Sequence, residues 1–246
     1  MKKKIIIISM AVIAVLISIY TFMLFEGIIL LNNPSDKAYP VRGVDVSAYQ
    51  GDIDWNALAK QNISFAFIKA TEGSSFVDKH FSRNWQQAVR TNLKIGAYHF
   101  FSFDSSGLTQ AENFIRTVPD AQGTLPPVVD FEFYADKEKN IPDINSAREN
   151  LNILLDKLTQ HYHKKPIIYA TMKTYDLYIK GSYPDYPIWI RDVLKTPKLP
   201  DNRLWTFWQY SDRGRLKGYT GQEKFIDLNV FYSSIENLEK LCKESY

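Results

Sequence analysis

Leu125-Pro126-Pro127-Val128-Val129-Asp130-Phe131-Glu132-Phe133-Tyr134 is the stretch on which the fold turns. Its prolines hold the entry extended, and the valines and aromatics that follow favour a buried strand over a helix. Side chains two apart on a strand share a face, so Asp130 and Glu132 emerge together while Val129, Phe131 and Phe133 pack on the other side. Two carboxylates so placed in a partly dry cleft cannot both ionise freely, and one is expected to keep its proton near neutral pH. Cleavage of a glycosidic bond needs such a proton donor beside a second carboxyl group. A structural pair met by Lys or Arg at a strand end reads the tripeptide equally well.

Strand and helix signals alternate outward from this stretch. Strands are expected at 42–47, 65–70, 93–101, 128–133 and 167–170. Helices are expected at 54–61, 81–91, 109–118 and 145–163, the last with Leu151, Leu154, Leu155 and Leu158 on one stripe. This alternation predicts a parallel α/β sheet, and the 246 residues suit closure into one irregular TIM-like barrel. About five β/α units would be followed by a last third that is mainly strand, at 188–190, 204–210 and 225–230.

The amino terminus is different in kind. Met1-Lys2-Lys3-Lys4 precedes Ile5 to Phe25, an uncharged apolar run long enough to cross a bilayer. The lysines would stay in the cytoplasm and the rest of the chain would be exported. No small-residue cleavage site precedes Glu26, so residues 1–26 read as an uncleaved signal anchor, with a cleaved signal peptide and a secreted product as the rival. Residues 27–40 read as a tether with Asn32-Asn33-Pro34-Ser35-Asp36 as a flexible exit, and 41–246 as the folded domain. Beyond residue 39 the chain holds 26 basic and 25 acidic residues, so nothing argues for nucleic acid. Cys242 is the single cysteine; no internal disulfide can form, and a buried, idle thiol is expected.

Acids gather at predicted strand ends, where barrels build their sites. Asp45 closes the first strand, Asp130 and Glu132 the fourth, and Asp227 lies in the last. First and last strands are neighbours in a closed barrel, which should bring Asp45 and Asp227 together.

Taken in order, several motifs carry a resemblance. Arg42-Gly43-Val44-Asp45-Val46-Ser47 with Tyr49-Gln50-Gly51, Phe65 to Gly73, and Gly96-Ala97-Tyr98-His99-Phe100 resemble the family 25 glycoside hydrolases, as do Val129-Asp130-Phe131-Glu132, Pro166-Ile167-Ile168-Tyr169, Trp208-Gln209-Tyr210 and Ile226-Asp227-Leu228-Asn229. The resemblance implies a lysozyme-type muramidase that cuts the β-1,4 bond between N-acetylmuramic acid and N-acetylglucosamine in peptidoglycan. It implies Glu132 as general acid, with Asp130 stabilising the charge that develops at the sugar or orienting its acetamido group. Asp45 and Asp227 match two further acidic positions that tune the pair and hold substrate.

By the same resemblance Tyr98 is a substrate contact, while its neighbour His99 faces the other way as a core histidine. Tyr169 and Trp208 could stack on sugar faces or serve the core. Arg191-Asp192 departs from the family pattern, and Arg191 is expected to pair with Asp192 or with a strand-end carboxylate. Neither a metal nor a cofactor is expected. The partners implied are peptidoglycan glycan strands and, through the amino-terminal helix, the membrane, for a monomeric protein. Two alternatives stand beside the muramidase: a catalytically weak glycan-binding protein on the same fold, and a glycosidase acting on another N-acetylated glycan such as chitin.

Overall fold

Eight strands close on themselves. In the computed structural model, which describes residues 2–243, they are β1 (Arg42–Val46), β2 (Phe65–Glu72), β4 (Lys94–Phe100), β5 (Val128–Phe131), β6 (Ile167–Thr171), β7 (Ile188–Arg191), β8 (Phe207–Gly214) and β9 (Ile226–Phe231), with a short β3 (Phe76–Val77) hairpinned onto β2. Met1 and residues 244–246, the outer ends of the expected anchor and domain, lie outside the described residues. Neighbours from β1 to β8 pair in parallel, whereas β9 pairs antiparallel with both β8 and β1. The result is a mixed α/β barrel whose last third is mainly strand.

The five β/α units end in α2 (Trp55–Ala59), α3 (Phe81–Ala88), α4 (Gly107–Thr117), α5 (Ile144–Tyr162) and the one-turn α6 (Met172–Thr174), which runs on into a π-helical turn over Tyr175–Ile179. Caps fix their starts: Asp54, Ser106 and Asp143 each accept a backbone N–H from the first turn. The leucine stripe of α5 is buried, and the helix stops at His163 in the left-handed conformation. A final helix, α7 (Ile235–Lys243), was not legible beforehand; its Leu238 and Cys242 join the core at the amino-terminal end of the barrel. Burial pushes the Cys242 thiol up to about 11, in keeping with an idle cysteine.

Period-two alternation divides the core into layers. Phe65, Phe67, Val128, Ile167, Trp189, Phe207 and Phe231 fill the interior, while Val44, Ile68, Val129, Phe131, Ile168, Ile190 and Trp208 face outward toward the covering helices and loops. Phe67 stacks on Trp189 at 4.7 Å and meets Phe207 edge-on at 5.3 Å. Two glycines make room for these rings: a Cβ on Gly43 would lie 2.4 Å from Phe65, and one on Gly96 would lie 2.6 Å from Phe67. The aromatic packing closes the lower barrel and leaves the carboxyl ends of the strands open.

The amino-terminal helix α1 (Lys2–Phe25) has none of its residues buried, meets the barrel at its last turn through Phe25, and is long and apolar enough to cross a membrane. The expected flexible exit is instead laid along the barrel wall. Arg42 pairs with Asp36 at 2.6 Å and bonds the Pro34 carbonyl, Leu30 packs on the outer core, and Tyr39 meets Trp205 and Trp208 at 5.7 and 5.9 Å.

Candidate active site

The open end of the barrel is a cleft of about 600 Å³ whose lining includes Asp45, Tyr98, Asp130, Glu132, Tyr169 and Asp227. Strand direction explains the gathering. Asp130 is next to last in β5 and Glu132 follows the strand directly, so both sit at its carboxyl end on the face that carries the interior residue Val128. Asp45 and Asp227 are direct register partners across the β1–β9 joint.

Burial raises every acid of the site. Burial pushes Glu132 up to about 7, opposed by the Arg191 guanidinium and aided by the charge of Asp45. Asp130 is raised well above the carboxylate range, first by burial and then by the adjacent Glu132. One oxygen of Asp130, Oδ1, is buried without a hydrogen-bond partner among the described residues. A buried carboxyl oxygen beside an open cleft is an acceptor that a donor on a bound molecule can meet. Glu132, half-buried and close to neutrality, holds a proton that it can give away.

Asp45 is the acid held fixed behind this pair. Its Oδ1 accepts from Gln209 Nε2 at 3.0 Å and from Asn229 Nδ2 at 2.6 Å. Those amides are oriented in turn, because Tyr169 Oη donates to Gln209 Oε1 at 2.8 Å and Trp189 Nε1 donates to Asn229 Oδ1 at 2.9 Å. Burial raises Asp45, and the two amide donors restrain the rise. Asp227 is raised well above its ordinary value by burial and by Asp45, with which it shares a hydrogen bond. Of these two neighbours Asp227 is therefore the one held more strongly toward its protonated form.

The expected substrate contacts divide. Tyr98 is half-buried in the cleft wall, and Tyr169 lines the cleft while anchoring Gln209. Trp208 corrects the sequence expectation: it is fully buried on the outer face, donates Nε1 to the Asp192 carbonyl at 2.8 Å, and packs beside Tyr39 and Trp205. Phe207 and Gln209 point inward, so the residue between them must point out. The tryptophan that does line the cleft is Trp189. His99 is the core histidine expected, fully buried between Thr71 Oγ1 at 2.7 Å and Gln110 Oε1 at 3.0 Å, with burial lowering it to about 4. Arg191 pairs with Asp212 on β8 at 2.8 Å, while Asp192 accepts the backbone N–H groups of Leu194 and Lys195.

Gln209, Asn229 and Trp189 were quoted or passed over as strand residues without a role. Strand parity offered a signal, since Asn229 lies two residues from Asp227 and Trp189 two from Arg191.

A barrel mouth with a carboxyl pair, both members raised by burial, between aromatic walls is the equipment of a glycoside hydrolase. Comparison with known proteins places the chain in one such family. The family described as Glycosyl hydrolases family 25 matches residues 44–219, and the chain belongs to it. Lysozyme M1 of Streptomyces globisporus is 31% identical over 222 residues, covering 86% of this chain and 74% of its own. The uncharacterised protein YegX of Escherichia coli K12 is 38% identical over 207 residues, covering 82% of this chain and 73% of its own. Among solved structures, a family 25 glycosyl hydrolase from Bacillus anthracis superposes with a TM-score of 0.80 at 58% identity, over 85% of this chain and 95% of that one. A bacterial lysozyme from Streptomyces coelicolor gives 0.74 at 31% identity, over 82% and 96%.

Proposed function

We propose that this protein is a membrane-anchored muramidase that hydrolyses the β-1,4 bond between N-acetylmuramic acid and N-acetylglucosamine in peptidoglycan. The observation that carries the proposal is the Asp130–Glu132 pair at the cleft, in which Glu132 is raised to about 7 by burial. Relatives named lysozyme and N,O-diacetylmuramidase support the same substrate class.

In the proposed reaction the protonated Glu132 gives its proton to the bridging oxygen as the bond from that oxygen to the sugar C1 breaks. The unpartnered Oδ1 of Asp130 accepts the acetamido N–H of the sugar losing its substituent and turns the acetamido carbonyl oxygen onto C1. That oxygen closes on C1 as the leaving hydroxyl departs. A water molecule, deprotonated by the Glu132 carboxylate, then opens the ring at C1 and restores the acid. Asp45 and its partner Asp227 place a fixed negative field under the developing positive charge.

The anchor reading puts α1 in the cytoplasmic membrane and the barrel on its outer side. Glu132→Gln keeps the shape of the protonated acid without its proton. Glycan cleavage should fall by about 10²–10⁴-fold, the usual worth of a general acid, with the fold unchanged by circular dichroism. A folded variant that retains substantial cleavage would remove Glu132 from the acid role. Retention of configuration at C1, read by NMR on early products, tests the acetamido step, and inversion would contradict it.

A further inference from the structure

The path of residues 25–41 has a consequence for where the cleft faces. β1 begins at the pole opposite the cleft, since Arg42 opens the strand and Asp45, three residues on, is already in the cleft wall. An anchor joined straight to β1 would leave from that far pole and hold the cleft away from the bilayer. The chain instead doubles back. Asn62, ahead of β2, donates to Asp36 at 3.2 Å, and Tyr39 packs on Trp205 ahead of β8. Leu30 and Leu31 then reach a hollow shared with Val193, Ser211 and Asp212 toward the carboxyl end of β8. Phe25, the last residue of α1, lines the catalytic cleft itself.

The return is fastened at its end. Arg213 Nη1 donates to the Phe25 carbonyl at 2.6 Å, capping the last turn of α1, and its guanidinium lies 5.0 Å from the Phe25 ring and 5.4 Å from Phe225. Arg215 donates to the Glu26 carbonyl at 2.6 Å and pairs with its carboxylate at 2.9 Å, and Lys224 joins the same carboxylate. Gly27 turns with φ +63°, and a Cβ there would sit 2.4 Å from the Arg213 carbonyl oxygen and 2.9 Å from Phe225. Only glycine passes at that point. A merely flexible linker of this length would wander over about 20 Å and would need neither the glycine nor three basic residues.

We propose that the rim formed by Arg213, Arg215, Lys224 and Phe225 is a docking surface for Phe25, Glu26 and Gly27, and that this contact holds the cleft toward the bilayer so that the enzyme takes glycan strands lying at the membrane surface. The proposal rests on the anchored-muramidase reading and narrows its substrate to membrane-proximal strands.

The test uses the full chain in lipid nanodiscs whose headgroups carry an energy-transfer acceptor. A donor is attached through Gln222→Cys beside the cleft or through Asn92→Cys ahead of β4, both exposed positions. The buried Cys242 is subtracted with an unsubstituted control. The eight residues of β8 set the two faces about 26 Å apart at ~3.3 Å each. Transfer from position 222 should exceed that from 92 severalfold, and Glu26→Lys with Gly27→Val should abolish the difference. The same double variant should cleave short soluble glycan fragments at the unmodified rate, yet lose severalfold on a glycan polymer tethered to the disc. Equal transfer from both positions in the unmodified chain would overturn the docking, as would a difference that survives the double variant. Absence of transfer from either position would overturn it together with the anchor. A preserved transfer difference with no cleavage of either glycan would instead overturn the muramidase reading and the substrate it implies.

Discussion

Replacing Glu132 with glutamine should stabilise the protein, and only above the pH at which the carboxyl group would ionise. Burial raises this group from 4.5 to about 7 in the folded chain. Below 4.5 it is protonated whether the chain is folded or not, and contributes nothing to the difference. As pH rises, the unfolded chain releases the proton first, so folding loses stability between 4.5 and about 7 and then levels off. At about 1.4 kcal/mol per pH unit the full loss is about 3 kcal/mol. Glu132 is half-buried and Arg191 lies nearby, so solvent and the guanidinium screen part of it, leaving about 1–3 kcal/mol. Glutamine has no charge to bury. Thermal unfolding followed by near-ultraviolet circular dichroism should give equal midpoints for the two proteins at pH 4. At pH 8 the variant should melt higher by several degrees, since each kcal/mol moves a barrel of this size by about 2–4 °C. A difference independent of pH, or a variant less stable at pH 8, would refute the claim that the folded protein holds this acid at a cost.

Other substitutions probe the remaining parts of the site. Arg191→Gln removes the cation that lowers Glu132, so the acid should hold its proton to higher pH and the alkaline limb of kcat/KM should move upward; a downward move would contradict the assigned electrostatics. Asn229→Leu takes the 2.6 Å donor from the buried Asp45 and leaves Trp189 Nε1 unpaired, which should cost about 1–3 kcal/mol in chemical denaturation and lower kcat. Trp208→Phe should lower Tm while leaving KM for soluble glycan unchanged, because the ring packs outside the barrel; a raised KM would return it to the cleft. Gly96→Ala drives a methyl group into the Phe67 ring and should destabilise by about 1–3 kcal/mol with little change in the pH profile.

The strand carrying Asp130 and Glu132 was legible because prolines, β-branched residues and period-two spacing agreed on one structure. The neighbouring positions of Asp45 and Asp227 followed from closure of the barrel, and the β1–β9 register places them opposite each other. The side on which Trp208 falls was not legible because β8 alternates aromatic residues on both faces: Phe207 fills the interior while Trp208 and Tyr210 cover the outside. Hydrophobicity alone cannot set parity in such a strand. The hydrogen-bonded frame around Asp45 was hidden for another reason, since its members come from β6, β7, β8 and β9 and are joined only by the closed sheet. Residues 27–40 looked like a loose linker because Asn, Pro, Ser and Asp favour turns; what fixes them are Arg42 and Asn62 on Asp36 and the distant Trp205 and Trp208 on Tyr39, while Arg213, Arg215 and Lys224 hold Phe25 and Glu26 just ahead of them.

Digestion of purified peptidoglycan by the wild-type protein beside Glu132→Gln, with soluble fragments identified by mass and reducing end, tests the central claim most directly. Fragments ending in reducing N-acetylmuramic acid should appear with the wild type and be absent with the folded variant. Fragments ending only in reducing N-acetylglucosamine, equal release by both proteins, or no release by either from intact and de-O-acetylated walls would contradict it.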